Sequence, residues 1–338
     1  MSAVTEYVER VRGAAVNAMS RLRPPYPPVA MEIDRKEVVL VRFKAKHRGK
    51  PLLEAHAVRP MPEDAMPSSI FDHSARSTDE LTARFQEMFE LTGTRPGRIS
   101  LVIPDNLAKI SLLTLPERPS SQRQLDELVR SKMRRAVPFR LEEAAISYQL
   151  FPGEGRQVSV LVLLTPRQLI DRFEHSLTAL GARVGLIDIA TPNLINLCRS
   201  RLEVASRDGK DVALLNCASN YFSLVIVRNG RVIFFRCKTL SPGGESANGG
   251  NGFLVREVAS SLSYYREKLA GQGIESVIVR ALDLSAEEIG EKLGELDLTR
   301  IESVDASVTV DLEPGQRMDA ALAMRLAPAL GAAAAGIR

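Results

Sequence analysis

Two strand hairpins, far apart in the chain but alike in pattern, constrain its fold more than any other feature. The first runs from Ala30 to Phe43 and the second from Val212 to Val227. In each, an apolar strand reaches a short polar residue, Asp34 or Asn216, turns, and returns as a second β-branched strand. The first turn carries Arg35 and Lys36, and the second carries Cys217, Ala218, Ser219 and Asn220.

What surrounds the hairpins repeats as well. Strands are expected near 30–34, 37–44 and 51–58, followed by a helix from about Asp79 to Leu91. Strands near 211–216, 221–228 and 231–238 precede a helix from about Phe253 to Leu269, then a strand at Ser276–Val279 and a helix around Ala286–Leu293. Three antiparallel strands leading into alternating helices and strands, done twice, predict two related α/β lobes. Between them, strands at Arg98–Ile103, Lys109–Leu113, 145–151 and 157–164 alternate with helices at Ser121–Ala136 and Pro166–Leu180. This ββαββα stretch reads as a small α+β subdomain, about 95–182, inserted in the first lobe. The expected organisation is an N-terminal helix and tether over 1–28, a first lobe over 29–210 and a second over 211–338. Met318–Leu326 is expected to be helical, with Ala332–Ala335 a fraying tail.

The first 28 residues stand apart. Val4, Val8, Val11, Ala15, Met19 and Leu22 form an amphipathic stripe, and Pro24, Pro25, Pro27 and Pro28 stop the helix in a stiff tether. Such a helix either packs on its own domain or docks to a partner or an anionic membrane face. No apolar run reaches the roughly 18 residues of a membrane span, and the N-terminus lacks a signal peptide's apolar core. With a formal charge of only +4 and aromatics at 5%, nothing points to nucleic acid. Cys198, Cys217 and Cys237 lack metal-site spacing and read as buried thiols of a reducing compartment. These features together predict a cytoplasmic protein.

The residues resemble a known family, the type IV pilus assembly protein PilM, related to the actin-like cell-division protein FtsA. The likeness spans roughly 29–328. It rests on Glu32-Ile33-Asp34 with Val38–Phe43, on the Ile103-Pro104 and Leu115-Pro116 steps, and on Val137-Pro138-Phe139 with Glu142-Glu143. The stretch Leu180–Asp188, the turn Asn229-Gly230 and the terminal run Ala320–Ala327 fit in order. The resemblance implies a two-lobed actin-like (RNase H-like) α/β fold whose facing hairpins would grip ATP phosphates.

The nucleotide motifs are where the chain departs. Family members with a working site place Asp-x-Gly at both phosphate loops and Gly-Gly under the adenosine. Glycine matters there because backbone amides must approach phosphate oxygens, which a Cβ obstructs. A carboxylate helps order the Mg²⁺ shell. Asp34 survives here, with Arg35 and Lys36 in the turn and no glycine. Asn216 cannot supply charge, Ala218 stands where glycine is expected beside Ser219, and Arg280-Ala281 replaces Gly-Gly. Phosphoryl transfer needs metal and backbone donors together. The six loop residues Asp34, Arg35, Lys36, Asn216, Ala218 and Ser219 are therefore read as vestigial, with no cofactor expected and Mg-ATP disfavoured. Asp34 reads as a solvated turn residue, while Arg35 and Lys36 could still offer charge to a phosphate.

Other chemistry is weaker. His47, His56, His73 and His175 are dispersed, without metal-ligand spacing. The Gly/Ser/Asn tract Ser241–Gly252 lacks the G-K-[ST] ending of a P-loop and reads as a flexible loop. Arg130, Lys132, Arg134, Arg135 and Arg140 are the most distinctive charged cluster, left outside the apolar face of the Ser121–Ala136 helix. Arg130, Arg134, Arg135 and Arg140 are candidate partner-binding residues, for an acidic partner or membrane headgroups, against the plainer reading of a solvated face.

By resemblance the chain would be a non-catalytic cytoplasmic scaffold of a type IV pilus or related secretion machine, peripheral at the inner membrane. It would capture the cytoplasmic tail of a PilN-like membrane protein in a groove near the inserted subdomain and connect to a cytoplasmic motor ATPase. The alternatives are a working actin-like ATPase or sugar-type kinase, and a filament-forming homologue.

Overall fold

The structure is a computed structural model. It describes residues 27–44, 50–62, 65–72, 78–137, 139–153, 155–240, 249–284, 286–298 and 300–335. The N-terminal helix reading and most of the Ser241–Gly252 tract lie outside these residues, as do His47 and His73.

The first lobe opens with β1 (Val29–Ile33), β2 (Glu37–Phe43) and β3 (Leu52–Pro60), followed by α1 (Asp79–Leu91) and β4 (Arg98–Ile103). The subdomain contributes β5 (Lys109–Leu115), α2 (Gln122–Met133), β6 (Ala144–Pro152) and β7 (Val158–Pro166). Next come α3 (Arg167–Ala179), β8 (Arg183–Ile189), α4 (Ala190–Leu197) and α5 (Arg199–Ala205). The second lobe holds β9 (Asp211–Cys217), β10 (Tyr221–Arg228), β11 (Arg231–Thr239), α6 (Gly249–Lys268), β12 (Ile274–Ala281), α7 (Ala286–Gly294) and β13 (Ile301–Ser303). Finally β14 (Asp311–Leu312) and α8 (Ala320–Ala334) close the chain.

Three sheets result, ordered β14-β3-β2-β1-β4-β8, β11-β10-β9-β12-β13 and β5-β7-β6. The period of two along each central strand sends alternate residues to opposite cores. Met31, Ile33, Val38 and Leu40 face α1 and α3, where Leu81, Phe85 and Phe173 are buried. Their neighbours Ala30, Val39 and Val41 face the opposite way, onto α4 and α8. The second lobe mirrors this. Val212, Leu214 and Val225 meet the same α4 and α8, while Ala213, Leu215 and Phe222 meet Val258 and Leu262 of α6. The layers therefore run helix, sheet, helix, sheet, helix, with α4 and α8 shared between the lobes. Burial on both faces explains why β9 and β10 read as nearly unbroken apolar runs.

Four expectations are corrected by this packing. Arg98–Ile103 was expected in the insertion, but β4 pairs parallel with β1 in the first-lobe sheet. Arg167–Ala179 was counted there too, but Phe173 and Leu177 are buried in the first-lobe core. The three-stranded sheet with α2 on it spans the residues between. Ala332–Ala335 was expected to fray, and α8 instead runs to Ala334, past Pro328, with Ala332 and Ala333 fully buried. Gly331 permits this, because a Cβ there would overlap the carbonyl of Asn193 on α4. Nor is α8 part of the second lobe alone, since it packs on β1, β2 and α4 while β14 joins the first-lobe sheet.

Candidate functional site

At the C-terminal ends of the inner strands, the positions facing the other lobe change from apolar to polar. On β1 the inward parity passes from Ala30 to Glu32 and Asp34, on β9 from Val212 and Leu214 to Asn216, and on β12 from Ile278 to Arg280. Crevices beyond strand C-termini are where open α/β sheets bind ligands. Here that position is filled by the protein's own side chains.

Arg280 is the centre. β12 pairs parallel with β9, which sets Arg280 opposite Asn216. Its guanidinium is 1% exposed and donates in three directions. Nη2 reaches Glu32 Oε1 at 2.8 Å, Nη1 reaches Asn216 Oδ1 at 3.1 Å, and Nε reaches the Met324 carbonyl at 2.8 Å. One side chain thus ties the first lobe, the second lobe and the shared helix α8 together. Asn216 Nδ2 donates in turn to Thr191 Oγ1 at 3.0 Å. The amide and hydroxyl of Thr191 both donate to Asp105, the former at 2.9 Å. Ser223 adds a third donor to Asp105 at 2.6 Å.

The hairpin tips meet beside this network. Asp34 closes its own turn, its backbone amide donating to the Glu37 carbonyl at 2.8 Å and its Oδ1 accepting from the Lys36 amide at 3.2 Å, an Asx turn. The Ser219 hydroxyl of the opposite lobe donates to the same Oδ1. Lys36 Nζ reaches Asp283 at 2.7 Å, another inter-lobe contact, at an exposed rim.

Burial lifts the buried carboxyls of this network above the ordinary carboxylate range. Burial pushes Glu32 up to about 8 despite the opposing charge of Arg280. Burial also raises Asp105, against the pull of its three hydrogen bonds. Asp34 rises for the same reason, with Ser219 opposing. Asp188, at the end of β8, is pushed up to about 6 by burial, the nearby charge of Asp105 adding to it. Several buried carboxyls share one guanidinium, and a low-dielectric interior disfavours ionising them all.

Of the six vestigial-loop residues, the structure brings Asp34, Lys36, Asn216 and Ser219 to this inter-lobe network. Ala218 is buried in its own turn, its amide on the Tyr221 carbonyl at 3.0 Å. Arg35 turns away and lines a separate cavity of about 690 Å³ with Asn220. Asp34 is not the solvated turn residue expected, being 2% exposed, because the second lobe covers it. Cys217 is buried with its thiol pushed up to about 12 by burial, as suits a structural thiol. Sequence reasoning missed Glu32 and the bridging role of Arg280. The signal was a charge inside an apolar run in each of two strands, Glu32 after Val29-Ala30-Met31 and Arg280 after Val277-Ile278-Val279. Asp105 and Thr191 gave no such signal.

The cavity beside Arg35 lies between the loop Ser68–Phe71, the edge strand β5 and the edge strand β11. Arg35, Lys109, Arg236 and Lys238 line it without a carboxylate. Asn106 and Asn220 both donate to the Ser68 carbonyl, at 2.8 and 3.1 Å. Their own buried Oδ1 atoms have no partner among the described residues.

Fold and site define a two-lobed α/β protein of actin-like architecture whose inter-lobe strand ends are joined by a buried polar network. The chain belongs to the type IV pilus assembly protein PilM family, whose model matches residues 30–249. A solved structure described as a PilM-PilN type IV pilus biogenesis complex is similar with a TM-score of 0.77. Its identity is 19%, covering 93% of this chain and 100% of that one. A Bacteroides thetaiotaomicron protein of actin-like ATPase fold and unknown function gives a TM-score of 0.49 at 10% identity, over 86% of this chain and 94% of its own. None of the curated proteins matches. The two-lobed actin-like fold expected from the sequence is therefore the one observed, and the chain is a pilus assembly component. Among the described residues no helix is long and apolar enough to cross a membrane.

Proposed function

We propose that this protein is a non-catalytic scaffold at the cytoplasmic face of the pilus assembly platform, and that its inter-lobe cleft does not take Mg-nucleotide. The observation that carries this reading is Arg280, which lies buried between Glu32 and Asn216. A fixed cation bridging the lobes does the joining that a metal-bound triphosphate would otherwise do. The residues do not fit Mg²⁺ well. Glu32 is engaged by Arg280, Asn216 is neutral, and Asp34 is held by Ser219 and its own turn. The protein would then present one fixed lobe angle to its partners without a nucleotide cycle.

The partner proposed is the cytoplasmic tail of a PilN-like inner-membrane protein, with a motor ATPase as a further contact. The similar PilM-PilN complex supports the first. The cavity between β5 and β11 supports an extended segment as occupant, because two strand edges border it. The unpartnered Asn106 and Asn220 oxygens would accept from a peptide's backbone amides. Two measurements test the reading. A pulldown with the membrane partner's tail should retain this protein, and Asn106→Leu with Asn220→Leu should weaken retention. Calorimetry with Mg-ATP should give no heat of binding, and a low-micromolar isotherm would overturn the closed cleft.

A further inference from the structure

The subdomain helix α2 carries a feature that neither the cleft nor the peptide cavity uses. Its inner face is settled, with Leu125, Val129 and Met133 buried at i, i+4 and i+8 against the three-stranded sheet. Ser121 caps the N-terminus by accepting from the Gln124 amide at 3.2 Å. At the other end, Arg130, Lys132, Arg134, Arg135 and Arg140 are all exposed. None of the five pairs with a carboxylate among the described residues. Two other exposed arginines of the same subdomain are paired, Arg123 with Glu127 at 2.9 Å and Arg156 with Glu117 at 3.1 Å.

The helix dipole accounts for part of this. Arg130 and Lys132 lie in the last turn, where cations are favoured by the partial negative charge of the orphan carbonyls. Arg135 and Arg140 lie beyond the helix, which ends at Met133. They gain little from the dipole and are not needed for capping. Five exposed cations between Arg130 and Arg140 also repel one another, so the arrangement favours an anionic surface brought against it.

The shape selects among anionic surfaces. α2 is the outer layer of its subdomain, so the face opposite Leu125 and Val129 is convex and offers no groove for a peptide. No aromatic residue alternates with the cations along the helix as nucleic-acid stacking requires. Phe139, half-buried against the subdomain core, sits between Arg135 and Arg140 where a ring can meet a headgroup boundary. We propose that this end of α2 is a docking surface for the anionic headgroups of the membrane, an electrostatic contact made by the protein itself in addition to any partner. Basic clusters near a negatively charged leaflet gain roughly fivefold in partition per cation. The contact is therefore a weak, salt-sensitive one that orients the protein rather than anchoring it.

The test is co-sedimentation of the full chain with phosphatidylethanolamine vesicles containing phosphatidylglycerol, against phosphatidylcholine vesicles alone. Binding is expected only to the anionic vesicles, and raising the ionic strength should release it. Arg130→Gln with Arg134→Gln should lower the partition about thirtyfold. Arg266→Gln with Lys268→Gln removes two exposed cations from the second lobe and should change it far less. Both pairs are exposed and Gln is a good helix former, so folding is preserved. Three results would overturn the proposal: no binding to anionic vesicles, binding that survives the Arg130/Arg134 change, or equal loss in the second-lobe control. Retention on polyglutamate with none on vesicles would assign the patch to an acidic protein instead. The tail pulldown is unaffected by any of these outcomes, so the two readings fail separately.

Discussion

Arg280→Met removes the guanidinium while keeping most of the side-chain volume, which isolates the bridge from simple cavity formation. Three buried acceptors lose their charged donor: Glu32 Oε1, Asn216 Oδ1 and the Met324 carbonyl. Each hydrogen bond to a charged group contributes about 1.5–3 kcal/mol net, and the three are not additive. Removing one partner of a buried pair costs about 3–5 kcal/mol, which is the loss expected here. Glu32→Gln keeps an acceptor for Nη2 and should cost less than about 1 kcal/mol. Glu32→Leu with Arg280→Met removes the carboxyl end as well and should recover part of the single-variant loss, since Asn216 Oδ1 and the Met324 carbonyl stay without their donor. The chain has no Trp, so urea denaturation followed by circular dichroism is the suitable assay, with the slope checked for constancy. A loss below about 1 kcal/mol for Arg280→Met, or strict additivity in the double variant, would refute the idea that the Arg280–Glu32 bridge fixes the lobes.

Further outcomes follow from the same structure. Because Glu32 keeps its proton to about pH 8 when folded and loses it near 4.5 when unfolded, its contribution is full below 4.5. It is then lost as pH rises to 8. Over that window stability should fall by up to about 1.4 kcal/mol per pH unit, and Glu32→Gln should flatten the slope, read from denaturation midpoints across pH. Gly331→Leu should cost about 3 kcal/mol or more, since α8 cannot approach Asn193 with a side chain there; a midpoint near the parent's would mean that α4 and α8 are free to separate. Ser121→Ala should cost about 1 kcal/mol through loss of the α2 cap, measured on the same denaturation curves.

How much was legible in the sequence varies by element. α1 was readable to its ends because Leu81, Phe85, Met88 and Phe89 repeat at helical spacing, and that periodicity is a local property. The subdomain elements were readable for the same reason, yet their boundary was not. Whether β4 belongs to the insertion or the first lobe depends on pairing with β1, which lies almost seventy positions earlier and leaves no local mark. α8 shows the opposite failure. Pro328 and the alanine run argue locally for a frayed end, and burial between two sheets overrides that preference.

The site divides along the same line. Asp34, Asn216, Ala218 and Arg280 could each be marked as departures from a phosphate-binding pattern, since residue identity at a turn is written in the chain itself. What they became could not be. Parity along β1, β9 and β12 points Glu32, Asn216 and Arg280 into one crevice only after two sheets are stacked across α4 and α8. The sequence by itself determined two lobes and the loss of bare-backbone phosphate contacts, because hydrophobic periodicity and glycine content are local. The buried bridge was decided by tertiary structure alone, because a hydrogen bond between residues 32 and 280 depends on a distance that no local pattern encodes.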